Sequence, residues 1–99
     1  MSTTETPDQL IQTLDTSSKT SNTFKPKGLP FVVRVRGTFV ANLRLQESRD
    51  VGVSWDDLFV FTAGDVIEIG ARGDARYRLD MSGIGDFTSG SADVFLGTF

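Results

Sequence analysis

The chain has 99 residues, enough for one small domain, and its apolar (38%) and aromatic (10%) contents are those of a globular protein. It contains no cysteine and no histidine, which excludes disulfides and thiolate metal sites and removes the commonest general base. The net charge of -3 argues against a nucleic-acid-binding protein, which usually carries a basic field. No apolar run could cross a membrane and no signal-segment pattern opens the chain, so we expect a soluble protein made in a cytoplasm.

Residues 1–29 are predicted to be a Ser/Thr-rich N-terminal arm with too few apolar residues to fold alone. The TPDQ sequence at residues 6–9 fits a helix N-terminus, so a short helix could form near residues 7–15. Such a helix needs a partner, because isolated helices shorter than about 12–15 residues are marginal in water. The alternative is a disordered leader without a role. In the docking interpretation, four apolar residues anchor the arm on a neighbouring subunit: Leu10, Ile11, Leu14 and Phe24.

Residues 30–99 are predicted to form an all-β domain. Between residues 31 and 45 the odd positions other than Gly37 are apolar, and most of the even positions are polar, a period of two that gives a strand one core face. Gly37 interrupts this pattern and predicts a bulge or bend between two strands that share a core. The expected fold is a small antiparallel β-sandwich or barrel of about six to seven strands. Turn-rich sequences separate the later predicted strands, at residues 55–62, 65–70, 75–82 and 91–99.

Residues 48–55 read SRDVGVSW and resemble the Asp-box, whose pattern is Ser-x-Asp-x-Gly-x-Thr-Trp, with serine in place of threonine. The motif predicts a structural turn in which Asp50 accepts backbone N–H groups, Gly52 takes a positive φ and Trp55 packs on the hairpin. In families that carry the motif, sialidases among them, it usually lies at the rim of a β-sheet and away from the active site. The residues assigned to the turn are Ser48, Asp50, Gly52, Ser54 and Trp55.

A longer resemblance runs from about residue 33 to residue 97. It is carried by the order of a Gly-Thr-Phe turn, LRLQES leading into SRDVGVSW, a Phe-Thr-Ala link, an ARYRL strand, and TSGSA before the last strand. This order resembles a group of small virion proteins of tailed bacteriophages, β domains that coat or cement the capsid or serve at the head and neck. The resemblance implies a non-enzymatic virion structural protein, with capsid decoration or cement as the favoured role, and no cofactor.

The resemblance also implies the partners, which are the major capsid protein or other virion subunits. It further implies a homo-oligomer, with a trimer as one plausible form, and a location in the virion after synthesis in the host cytoplasm. Neither nucleic acid nor a membrane is an expected partner. Outward-facing arginines fit such docking, because the planar guanidinium pairs with carboxylates and is weakly hydrated, although they could instead be solvated and pair with acids across strands. These arginines are Arg34, Arg36, Arg44, Arg76 and Arg78.

Three other functions compete with docking. Acidic residues beside turns could supply an acid/base pair, but no spacing selects two of them, so neither catalytic nor metal-binding residues are assigned. Calcium near Asp50, Asp56 and Asp57 stays open, although the spacing does not follow an EF-hand loop. The main alternative is a carbohydrate-binding or adhesin module of a tail fibre or another tail or neck component. That function needs exposed aromatic side chains that lie together, with three candidates: Trp55, Tyr77 and Phe87.

Overall fold

The computed structural model describes residues 9–26, 30–70 and 75–97. Within these ranges the chain is all-β and its strands pair antiparallel, which confirms the predicted fold class. The described residues contain no helix, and so none that is long and apolar enough to span a membrane. Their strands are β1 (Gln9–Leu14), β2 (Phe31–Arg36), β3 (Phe39–Ala41), β4 (Leu43–Ser48), β5 (Asp56–Phe61), β6 (Asp65–Ile69), β7 (Arg76–Asp80), β8 (Phe87–Gly90) and β9 (Ala92–Gly97).

The strands form three sheets around one core. A four-stranded sheet has the order β1-β9-β2-β6, a three-stranded sheet has the order β5-β4-β7, and β3 pairs with β8. The predicted period of two holds from Val33 onward in β2, where Val33 and Val35 are buried while Arg34 and Arg36 face outward. Val32 departs from it, since it is buried at an even-numbered position. On the facing sheet, Leu43 and Leu45 of β4 are fully buried. The apolar faces of the two larger sheets therefore meet in a sandwich core.

Gly37 separates β2 from β3, as the sequence predicts. Its φ of 113° is positive, and a Cβ there would lie 2.5 Å from the carbonyl oxygen of Ser91. The strands of the described residues outnumber the predicted six to seven. The N–H of Asn42 turns away to the carbonyl oxygen of Asp86 at 2.6 Å, which divides the second predicted strand into β3 and β4. The other two, β1 and β8, lie in segments where an arm and a turn are predicted.

The structure corrects the helix predicted near residues 7–15, because the chain forms β1 there. Residues 1–8 lie outside the described residues. Leu10 and Leu14 are four positions apart, a spacing that fits a helix and a strand equally well. Ile11 distinguishes the two, since a helix would place it on the apolar stripe, whereas in β1 its side chain faces outward and is 68% exposed. Antiparallel pairing with β9 along all of β1 supplies the partner that a short helix lacks.

The polar segment after β1 doubles back and covers the edge of β7. Asp15 forms the turn, because its Oδ1 accepts the N–H groups two and three residues further on, at 2.8 and 3.1 Å. Residues 19–24 then run beside β7, and Phe24 and Tyr77 exchange two backbone hydrogen bonds of 2.7 and 2.8 Å. Residues 9–26 are therefore part of the β domain rather than of a separate arm.

Two of the predicted arm anchors lie in the chain's own core. Leu14 is 0% exposed and Phe24 is 2% exposed. The ring of Phe24 packs on that of Phe31, with a centroid distance of 5.2 Å. In this fold neither residue is available to a neighbouring subunit, which corrects the prediction for both. Leu10 is half-buried against the same core, and Ile11 alone of the four presents a large exposed apolar surface.

The placement of β1 can be tested by truncating one inward and one outward side chain. Leu14→Ala should lower the free energy of unfolding by about 2–5 kcal/mol, because it leaves a cavity in a packed core. The matched control, Ile11→Ala, removes an exposed side chain from the same strand and should change this free energy by no more than about 0.5 kcal/mol. Denaturant unfolding followed by tryptophan fluorescence at low protein concentration measures both. Similar losses for the two variants would contradict this register.

Candidate functional site

The loop between β4 and β5 carries the Asp-box residues, and their side chains hydrogen-bond to one another. Ser48 Oγ donates to Asp50 Oδ1 at 2.8 Å and accepts the N–H of Gly52 at 2.8 Å. Asp50 Oδ1 also accepts the N–H of Ser54 at 2.8 Å, while its Oδ2 accepts the Ser54 hydroxyl. The polar groups of the motif therefore fasten the loop from within, as expected of a structural turn.

The tip of the Asp-box loop is a tight β-turn. The N–H of Val53 donates to the carbonyl oxygen of Asp50 at 3.3 Å, and the two residues between them, Val51 and Gly52, have φ values of 60° and 87°. Positive φ at both central positions is the pattern of a type I′ hairpin turn, for which Asn-Gly is the preferred sequence. Gly52 adopts this conformation freely, as the motif predicts. Val51 is β-branched and is held there at a steric cost.

Trp55 closes the loop against the sheet. Its side chain is half-buried, and the guanidinium carbon of Arg78 in β7 lies 4.2 Å from the centroid of its ring. Arg78 Nε also donates to Oε1 of Gln46 in β4 at 2.8 Å, which fixes the guanidinium above the indole. A cation–π contact at such a site is worth about 0.5–1 kcal/mol. The stack joins the Asp-box loop to β4 and β7 and covers one face of the indole.

A second polar cluster lies on the outer face of the three-stranded sheet, and the sequence did not predict it. Arg44 in β4 donates to both carboxylate oxygens of Asp86, at 2.9 and 3.1 Å, and to Asp57 Oδ2 at 3.0 Å. The other oxygen of Asp57 accepts the Gln46 amide at 2.9 Å. The hydrogen bonds from Arg44 hold the pKa of the Asp86 carboxyl below its usual range. This cluster fastens the loop before β8 to β4.

Glu47 and Tyr77 form a buried pair that was also not predicted. Glu47 is 3% exposed, and its Oε2 accepts the Tyr77 hydroxyl at 2.8 Å. Its Oε1 lies 3.4 Å from Arg49 Nε. The signal was present in the sequence, because extending the odd-numbered frame beyond Leu45 places Glu47 on the inward face. The pair ties β4 to β7 within the core.

The five predicted interface arginines divide between two faces. Arg78 and Arg44 are engaged within the molecule through the contacts described above. Arg34 lies over the ring of Phe95, 5.2 Å from its centroid. Arg36 is exposed and forms no ion pair or hydrogen bond through its side chain with another described residue. Arg34 and Arg36 belong to the four-stranded sheet, whereas the three-stranded sheet carries Arg44, Arg76 and Arg78, of which Arg76 is not free either.

Among the described residues, no group of three or more carboxylates lies close enough to hold a metal ion. Asp50 and Asp57, two of the three calcium candidates, are hydrogen-bonded to separate sets of partners. A shallow groove of about 350 Å³ is lined by β3, the loop before β8 and Thr62 after β5. The carboxylate in this groove belongs to Asp86, which Arg44 already holds. These acidic groups therefore have structural partners.

The aromatic residues of the carbohydrate-binding alternative do not form an exposed platform. Tyr77 is 0% exposed, and its ring packs on Phe31 with a centroid distance of 4.8 Å. Phe87 is half-buried, with the amine of Lys19 5.3 Å from its ring centroid. Trp55 has one face covered by a guanidinium. This arrangement leaves no pair of open aromatic faces among the three candidates.

Apolar side chains are instead exposed along β5. Leu58, Phe59 and Val60 are consecutive in sequence and 42%, 38% and 38% exposed. The register with β4 shifts between Leu45 and Gln46, so that Leu58 is the extra residue of a bulge. β5 ends its sheet, and its outer edge has no strand partner among the described residues. Edge strands are commonly protected by lysine or proline, and β5 has neither.

Comparisons of the chain with protein-family models, with curated proteins and with solved structures found no match. The resemblance to small phage virion proteins therefore stays a prediction. The Asp-box turn can be judged directly, because its hydrogen bonds and positive φ values are visible in the structure.

The Asp50 turn makes stability depend on pH in one direction. Hydrogen bonds from the Ser54 hydroxyl and N–H, and from Ser48, lower the pKa of the Asp50 carboxyl from 3.8 to about 2. Because the folded pKa lies below the unfolded one, the carboxylate stabilises the fold above about pH 4, and this contribution is lost as the pH falls towards about 2. Asp50→Ala should therefore lower the Tm at neutral pH, and the difference from wild type should disappear in acid.

Thermal unfolding of wild type and Asp50→Ala across this pH range measures the effect. The control is Asp56→Ala, which removes a neighbouring exposed carboxylate outside the turn. A Tm difference for Asp50→Ala that persists undiminished at the acid end would show that the turn hydrogen bonds do not act through the ionised carboxylate.

Val51→Asn should stabilise the protein. The substitution creates the Asn-Gly sequence that a type I′ turn prefers and relieves a β-branched residue of a left-handed conformation, a gain of about 1 kcal/mol. Val51 is 70% exposed, so little packing is lost. Val53→Asn, at a position that is 82% exposed in the same loop, is the matched control and should have no such effect. Denaturant unfolding that finds Val51→Asn neutral or destabilising would argue against the turn geometry.

Proposed function

We propose that this chain is a non-enzymatic structural protein of a phage virion, a head decoration or cement protein that docks on the capsid surface. The observation that supports this most directly is the exposed apolar run Leu58, Phe59 and Val60 on the open edge of β5. Such an edge costs solubility unless another chain covers it. In a docking protein, the partner would cover this edge.

The polar groups of the chain support a binding role rather than a chemical one. The carboxylate of Asp50 accepts hydrogen bonds from two serines. Asp86 forms a salt bridge with Arg44, and Glu47 accepts a hydrogen bond from Tyr77. Among the described residues, no buried side-chain nitrogen or oxygen lacks a hydrogen-bond partner. A catalytic site usually holds groups with strained or incomplete interactions, which the substrate completes. In the described part of the chain, the buried polar side chains are hydrogen-bonded to other groups of the protein.

The open edge of β5 offers both kinds of contact that a docked strand needs. Its outward backbone N–H and C=O groups can pair with an extended segment of a capsid subunit, and its apolar side chains can be buried beside that segment. Asp57, the acidic residue next to the apolar run, is drawn onto the neighbouring strand by Arg44 and Gln46. One of the two carboxylates of β5 is thereby held away from the edge, and the other, Asp56, lies exposed at the start of the strand, before the apolar run.

Residues 9–26 do not form a free N-terminal arm through which the chain could attach. These residues complete the sandwich, and Leu14 and Phe24 are buried within it. The attachment surfaces are instead the β5 edge and the outer sheet faces. The rival function, a carbohydrate-binding module, finds no open aromatic platform in Trp55, Tyr77 and Phe87.

Electron cryo-microscopy of virions of the phage that encodes the chain tests the proposal, with density for the β-sandwich expected on the capsid surface. Leu58→Lys should then reduce binding of the purified protein to shells that lack it by about tenfold or more, because burial of a leucine is worth roughly 1.5–3 kcal/mol. Val53→Lys makes the same chemical change at an exposed apolar position on the Asp-box turn and should bind like wild type. Virions without the chain would refute the proposal, and equal binding of the two variants would refute the role of β5.

A further inference from the structure

The outer face of the four-stranded sheet carries a pattern that the pairing register fixes. Three rows of side chains lie on this face. The row at one end contains Val32 and Glu68, and Val32 is only 7% exposed, so the two rows described next are the accessible part of the face. The central row crosses all four strands, in the order β1, β9, β2 and β6, through Ile11, Phe95, Arg34 and Val66. The next row contains Thr13, Asp93 and Arg36.

The central row is largely apolar and accessible. Ile11 at one end is 68% exposed, and Val66 at the other end is 53% exposed. Between them Arg34 lies over the ring of Phe95, so that the middle of the row is an aromatic ring with a cation on it. An apolar row across a whole sheet face, with no covering element among the described residues, is a surface suited to contact.

The neighbouring row holds one positive and one negative charge that do not pair with each other. Arg36 lies directly opposite Asp93 across β2 and β9, yet no ion pair joins them. Asp93 Oδ1 accepts the Thr13 hydroxyl at 2.8 Å instead. Both side chains are exposed, so each can take a partner from outside.

We infer that this face binds the same face of a second copy of the chain, in a two-fold dimer whose axis runs parallel to the strands between β9 and β2. Such an axis places β9 of one copy over β2 of the other. It leaves the position of each residue along the strand direction unchanged. Arg36 then lies over Asp93 of the second copy, and Asp93 over its Arg36. Every charge in the row meets its opposite, as a self-complementary interface requires.

The same operation matches the central row with itself. The Arg34–Phe95 stack of one copy then lies against the same stack of the second copy, and each guanidinium keeps the ring of its own chain. At the ends of the row, Val66 meets Ile11 of the second copy. The twist between packed sheets, about 30°, displaces these outer pairs more than the central ones, and aliphatic contacts tolerate that displacement.

The available area fits a weak dimer. Four strands about 4.8 Å apart and six residues of about 3.3 Å each span roughly 400 Å² of sheet per copy. The side chains standing on it bring the total for two copies towards the ~1,000 Å² at which specific interfaces begin. We expect a dissociation constant on the order of micromolar, so that the dimer forms where copies are concentrated.

The opposite face of the sandwich does not offer the same match. On the three-stranded sheet, Arg44 already binds Asp86 and Asp57, and Arg78 is stacked on Trp55. A second copy would have to break these contacts to use the same charges. The dimer inference goes beyond the proposed function, because docking on a shell requires no particular state of the free protein.

Sedimentation velocity of the full chain over a range of concentrations tests the dimer. Arg36→Glu and Asp93→Arg should each weaken the dimer by roughly tenfold or more, because each places like charges together twice in a symmetric pair. An equimolar mixture of the two variants should form heterodimers. In such a pair the introduced glutamate meets the introduced arginine, and the native Asp93 of one copy meets the native Arg36 of the other. Both variants remain net acidic, so general attraction between them does not explain such pairing.

Two controls reverse exposed charges outside this face, Lys25→Glu and Asp56→Arg, and both should dimerise like wild type. Circular dichroism establishes that every variant is folded. A wild-type chain that stays monomeric at the highest soluble concentration, single variants that dimerise as well as wild type, or a mixture that stays monomeric would each overturn the inference. The measurement uses the isolated chain, so its result is independent of binding to a capsid.

Discussion

The side chain and backbone of Tyr77 join the three parts of this fold. Its ring packs on Phe31 of the four-stranded sheet at 4.8 Å, and its hydroxyl donates to Glu47 on the neighbouring strand of its own sheet. Its N–H and C=O both pair with Phe24, the residue that ends the returning N-terminal segment. The two sheets and that segment are thus held at one fully buried residue. A domain of this size without disulfides depends on such shared contacts, because its core is small.

The sequence predicted the inward faces of the central strands correctly, whereas it did not predict the structure of the N-terminal segment. The alternation over residues 31–45 identifies the inward faces of β2 and β4 because a strand has only two faces and one of them is buried. In β1 the spacing of the two leucines fits both a helix and a strand. Pairing with β9, about eighty residues away, is what makes the segment a strand. The return along β7 is set by backbone hydrogen bonds and by the hydroxyls of Thr20 and Ser21, which leave no periodic signal.

The polar clusters differ in the same way. The Asp-box turn, whose contacts are local, was predicted, whereas the Arg44 cluster, whose contacts are distant in sequence, was not. The Asp-box bonds span at most four positions, so a short motif contains all the information that they need. Arg44 and Asp86 are 42 positions apart and meet only because the loop before β8 folds over β4. Cross-strand register alone would have paired Arg44 with Asp80, which lies opposite it. Asp80 instead accepts the hydroxyls of Thr20 and Ser82, so the register places the strands without deciding the ion pairs.

The two edges of the three-stranded sheet are protected unequally, and this asymmetry connects the fold to its proposed role. On one side the chain covers the edge of β7 with residues 19–24, so that this edge cannot pair with a foreign strand. On the other side β5 lies open, with apolar side chains and no lysine or proline to repel a partner. The Ser/Thr-rich segment therefore closes one edge of the sheet. Under the proposals above, association would use the other edge and the face that carries Arg36 and Asp93.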